Sequence, residues 1–117
     1  MKILAIGDFH GVFPKKIEEI VKKEKIDFII SVGDYPPFSL SKKFFKHSYG
    51  TTTELWKVIG KKKYKESYIK DYKDGLKVLK KLDSLGIPIF TTLGNNDYPC
   101  DDDCSDKFEK ERKRTKW

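Results

Sequence analysis

Three short apolar segments, each closed by a glycine that is followed at once by an aspartate or asparagine, constrain this chain more than any other feature. Met-Lys-Ile-Leu-Ala-Ile-Gly7 leads into Asp8-Phe9-His10. Asp-Phe-Ile-Ile-Ser-Val32 leads into Gly33-Asp34, and Ile-Pro-Ile-Phe-Thr-Thr-Leu93 into Gly94-Asn95-Asn96-Asp97. A brief continuous apolar run ended by a turn residue reads as a strand buried on both faces, the kind found in parallel α/β sheets. Pro88 fits only near the start of the third run, because proline cannot donate to a strand ladder.

The segments between these runs read as helices. Pro14 suits a first helical position, and Ile17, Ile20 and Val21 follow at helical spacing up to Lys25, predicting a helix over 14–25. Strand, helix and strand in that order make a βαβ unit with parallel strands. From Tyr35 the pattern dissolves at Pro36 and Pro37, and a long loop is expected near 35–53. Thr53 can cap a short helix holding Leu55, Trp56, Val58 and Ile59. Tyr68, Tyr72, Leu76, Leu79 and Leu82 recur at three and four, predicting a longer helix over 68–85 closed by Gly86.

A chain of 117 residues with 38% hydrophobic content buries one modest core, so a single domain is the working expectation. It carries no apolar run near ~20 residues and no signal-peptide pattern, from which no membrane association and a cytoplasmic address are expected. The formal charge of +7 favours polyanions such as nucleic acid or phosphorylated ligands, but its lysine dominance equally suits a solvated, heat-adapted surface. Trp56, Tyr64, Tyr68 and Tyr72, interleaved with lysines, form a candidate stacking surface for nucleic acid, although aromatics at helical spacing are usually core. Oligomerisation is left open. Cys100 and Cys104 flank Asp101, Asp102 and Asp103. Two thiols are half a structural zinc site, so this segment reads as a solvated acidic turn, and 100–117 as a charged tail or a helix capped by Ser105.

Parallel strands of an open sheet deliver their carboxyl ends to one edge, so Asp8, His10, Asp34 and Asn95 are expected to converge there. Glycine before each polar residue lets the backbone turn and a ligand approach. Oxygen donors with one imidazole suit a divalent ion such as Mn, with Fe, Zn, Ni or Mg as alternatives. The competing reading of the aspartates and of Asn95 is turn formation after strands. Asp97 reads as a structural hydrogen-bond acceptor, with Gly33 and Gly94 supporting the same edge. His47, among Phe44, Phe45 and Tyr49, reads as a packing residue rather than a ligand.

The ordered set Asp8-x-His10, Gly33-Asp34 and Gly94-Asn95-Asn96-Asp97 resembles the front half of the calcineurin-like metallophosphoesterases, over residues 1–99. The resemblance implies a short parallel sheet flanked by helices, equivalent to the first half of that family's α/β sandwich, with one side of the sheet open to exposure. It further implies one or two divalent ions, with Asp8 and His10 on the first, Asp34 bridging, and Asn95 on the second. The activity implied is hydrolysis of a phosphomonoester or phosphodiester by a metal-activated hydroxide. This chain departs from the pattern at two motif positions: Asn96 stands where the family has a catalytic histidine, and Pro37 where it has an aspartate. The family's later histidine motifs are also not present in this sequence, whose histidines are His10 and His47. Asn96 is retained as the residue nearest the leaving group, as a phosphate contact or a turn residue. The departures imply weak activity, and the alternative is a non-catalytic remnant that binds a partner, nucleotide or nucleic acid.

Overall fold

The computed structural model of the chain describes residues 1–94 and 97. The order is β1 (Ile3–Ile6), α1 (Lys16–Glu24), β2 (Phe28–Ser31), α2 (Ser41–His47), α3 (Leu55–Ile59), α4 (Lys61–Asp83) and β3 (Ile89–Thr91). The class is α/β, and the three strands are parallel in the order β1-β2-β3. These residues fall into two compact units, one formed by 1–37 with 72–97 and one by 38–71, with α4 contributing to each.

In the first unit, the register pairs Leu4 with Ile29 and Ile29 with Ile89, so these three point to one face of the sheet. That face packs under Ile17 and Val21 of α1 and Val78 and Leu82 of α4, forming one core with Phe9 and Tyr35. Ile29 and Leu82 are fully buried, each worth roughly 1.5–3 kcal/mol. Acidic Glu18 and Glu19 begin α1 and basic Lys22 and Lys23 end it, matching the helix dipole, and Lys25 closes it in a left-handed turn.

The opposite face is open, as expected of a half-sandwich exposed on one side, although each apolar run by itself reads as a strand buried on both faces. Ile3, Ile30 and Phe90 are exposed there. A continuous apolar run records what each face can bury, whereas α1 and α4 supply side chains to only one of them.

In the second unit, a helix, α2, stands where a loop was expected. Its seven residues carry three lysines and no acid, too short and too polar on most sides to print a helical period. The helix expected over 68–85 starts earlier, at Lys61, because lysine, tyrosine and glutamate all tolerate helix even where no apolar stripe marks it. Asp71 is buried and accepts the backbone N–H and the hydroxyl of Ser39, both at 2.9 Å. Among the described residues, no helix is long and apolar enough to cross a membrane.

Candidate metal centre

Beyond the ends of β1 and β2 the two segments stay zipped together. Val32 donates to the Ile6 carbonyl at 3.0 Å, Asp8 to Gly33 at 3.2 Å, His10 to Asp34 at 2.9 Å and Gly11 to Tyr35 at 2.7 Å. The ladder carries Asp8 and His10 alongside Asp34. All three adopt left-handed backbone, with φ of 54°, 47° and 57°. Aspartate and histidine tolerate this region better than most residues, yet each instance costs on the order of 1 kcal/mol or more, and such conformations concentrate at functional sites.

One ligand atom from each of Asp8, His10 and Asp34 lies within 4.8 Å of the others. Asp8 and His10 are exposed and Asp34 is half-buried. Two ligands on opposite sides of an ion, with bonds of about 2.0–2.2 Å, stand at most about 4.4 Å apart. Small side-chain rotations therefore suffice to bring this set around one ion. Two carboxylates and an imidazole are the donor chemistry of a borderline-hard divalent cation. Phe9 is what aims them: its ring is buried at 5% exposure against Tyr35, with centroids 5.7 Å apart, which turns its neighbours Asp8 and His10 outward.

Asp97 ties the third strand end to the second. Its carboxylate accepts backbone N–H groups from Asp34 at 2.7 Å, Tyr35 at 2.9 Å and Gly94 at 2.6 Å, while only 5% exposed. The approach is so close that a Cβ on Gly94 would collide with the Asp34 carboxylate, and one on Gly33 would lie 2.7 Å from Asp97 Oδ2 and collide with the Gly94 amide. Under this layer the buried Tyr35 hydroxyl donates to Ser31 Oγ at 2.8 Å. Burial pushes the Tyr35 phenol above its ordinary pKa, and the Asp97 charge adds to this, while the Ser31 and Thr91 side-chain hydrogen bonds oppose it.

Of the site residues read from sequence, the structure brings Asp8, His10 and Asp34 together, with Asp97, Gly33 and Gly94 beside Asp34. Asn95 and Asn96 lie outside the described residues, as do Cys100, Cys104 and the segment 100–117. His47 ends α2, half-buried, and is not one of the clustered residues. Two contributors escaped the sequence reading: Phe9 as the anchor and the Tyr35–Ser31 pair beneath the loops. The polar-apolar-polar alternation of Asp8-Phe9-His10 was the available signal for the first. Nothing local announces the second.

A three-stranded parallel sheet that gathers two carboxylates and an imidazole at its strand ends defines the class: an α/β domain with a candidate cation site at the carboxyl edge. The sequence model of the calcineurin-like phosphoesterase family matches residues 1–117, and the chain belongs to that family. No curated protein and no solved structure gives a significant match. Members of the family generally bind divalent metals, which agrees with the donor set found here.

Proposed function

We propose that this chain is a metal-dependent phosphoesterase that holds its ion through Asp8, His10 and Asp34. The observation that carries the reading is the convergence of these three side chains, each on strained backbone, at one sheet edge. Asn95 adds a side-chain oxygen to the set in this proposal. A bound divalent ion would acidify a water and polarise the phosphoester, the two services such hydrolysis needs. The protein's own part is placement: Phe9 fixes the first strand-end loop, and Asp97 locks the second and third together. Mn is the preferred ion, with Fe, Zn, Ni or Mg as alternatives. The substrate class is a phosphomonoester or phosphodiester.

A second reading, binding without turnover, is favoured by one specific feature. Asn96 stands at the family's histidine position and cannot protonate a leaving oxygen. Calorimetric titration with Mn²⁺ tests the common ground of both readings. Binding close to one ion per chain, lost in Asp8→Ala and Asp34→Ala, is expected. No binding, or binding unchanged in both variants, rules out this site.

A further inference from the structure

The +7 charge of the chain is concentrated in one unit. Residues 38–71 hold nine lysines and three acids, a net +6, while residues 1–37 with 72–97 hold ten lysines and nine acids, a net +1. One of the three acids, Asp71, is buried on Ser39 and offers little to the surface.

Within this unit α2 presents a particular stripe. Lys42, Phe45, Lys46 and Tyr49 recur at i, i+3, i+4 and i+7, and all four are exposed, Phe45 at 60% and Tyr49 at 67%. Tyr49 lies past the last residue of the helix, held against it by a wide turn in which its N–H reaches the Phe44 carbonyl at 2.9 Å. The Phe45 and Tyr49 rings are 5.2 Å apart, and Phe44 backs both at 5.6 and 6.3 Å. The earlier candidates behave differently: Tyr68 is half-buried, with its ring against Phe38 and Tyr64.

Two features make this stripe unfavourable without a partner. Lys42 and Lys46 are like charges one turn apart, on a helix with no acid to offset them. Two neighbouring aromatic rings face water. A polyanion with flat apolar groups satisfies both, since its phosphates pair with lysines while its bases stack on rings. We propose that the α2 face is a binding surface for single-stranded nucleic acid, read by backbone charge and base stacking and indifferent to sequence. The inference does not rest on the proposed phosphoesterase activity.

The test is fluorescence anisotropy of the 117-residue chain titrated onto a labelled oligothymidine of about 20 nucleotides, in EDTA so that metal and turnover play no part. Expected is binding at low salt, weakened about fivefold or more by each of Phe45→Ala and Tyr49→Ala. Lys42→Ala with Lys46→Ala should lower the slope of log affinity against log salt by about 1.4. Both ring positions are exposed, so the variants should keep the parent circular dichroism. Lys22→Ala with Lys23→Ala, the same charge removed from α1, should have a smaller effect. The proposal is overturned if the oligonucleotide does not bind, or if folded Phe45→Ala and Tyr49→Ala bind as the parent does. It is equally overturned if the stripe variants impair only binding to anionic phosphatidylserine vesicles, or only self-association.

Discussion

The carboxylate of Asp97 accepts the backbone N–H of Asp34 at 2.7 Å, joining residues 63 positions apart in sequence. The same oxygen takes Gly94, and its partner oxygen takes Tyr35, so one side chain closes two strand-end loops. Asp97→Ala leaves three N–H groups without their acceptor, each worth about 1–3 kcal/mol if it stays dry. A loss on the order of 3 kcal/mol or more in urea unfolding is expected, with a fall of about 10- to 100-fold in Mn²⁺ affinity. Asp97→Asn should lie between, because its single oxygen can still serve Asp34 and Gly94. An unfolding midpoint unmoved in Asp97→Ala contradicts this account.

Space, rather than backbone conformation, explains Gly94, whose φ is not in the left-handed region. Its added Cβ would strike the Asp34 carboxylate and lie 2.8 Å from the Asp34 amide. Gly94→Ala should therefore weaken Mn²⁺ binding by about tenfold or more. Gly50→Ala is the contrast: at φ 72° it is strained, but nothing lies within 4 Å, so only a small stability loss is expected and metal binding is kept. Equal Mn²⁺ affinities for parent and Gly94→Ala, measured by calorimetry, would show that this contact does not position Asp34.

Tyr35 gives the fold a predicted alkaline limit. Its phenol is raised chiefly by burial, so the native chain holds that proton to higher pH than the unfolded chain does. The contribution is whole below the unfolded value of about 10 and is lost as pH climbs through the native value. Tyr35→Phe removes this dependence and leaves Ser31 Oγ, fully buried, without its donor, costing about 1–3 kcal/mol near neutral pH. Urea midpoints of the metal-free proteins should accordingly stay apart up to about pH 10 and converge above it. Parallel profiles above that pH would contradict the assignment.

The strands and the site edge were legible because their signals are local. Ile3–Ile6, Phe28–Ser31 and Ile89–Thr91 each lie inside an apolar run that stops at a glycine, and parallel pairing then places Asp8, His10 and Asp34 without further information. α2 was not legible, since a seven-residue helix with three lysines has no apolar stripe to reveal it. The start of α4 was missed for a related reason: Lys61–Lys63 carry helix propensity but no period. That one sheet face is exposed follows from half a sandwich, but the apolar runs themselves do not tell which face. Residues such as Ile30 and Phe90 look the same in sequence whether or not side chains cover them.

Activity tests the central claim most directly, and leaving-group chemistry decides the substrate. On the proposed reading Asn96 replaces the family's histidine, and hydrolysis is expected to lose a factor of roughly 10² to 10⁴, felt least where the leaving group departs unprotonated. The decisive measurement is release of p-nitrophenolate from bis-(p-nitrophenyl) phosphate by the 117-residue chain, with and without Mn²⁺, beside Asp34→Ala of equal circular dichroism. Slow hydrolysis that requires Mn²⁺ and disappears in Asp34→Ala is predicted, with little or none on an alkyl phosphoester. Turnover that survives in Asp34→Ala, or that proceeds equally well in EDTA, would contradict the assignment of this edge as a metal-dependent phosphoesterase site.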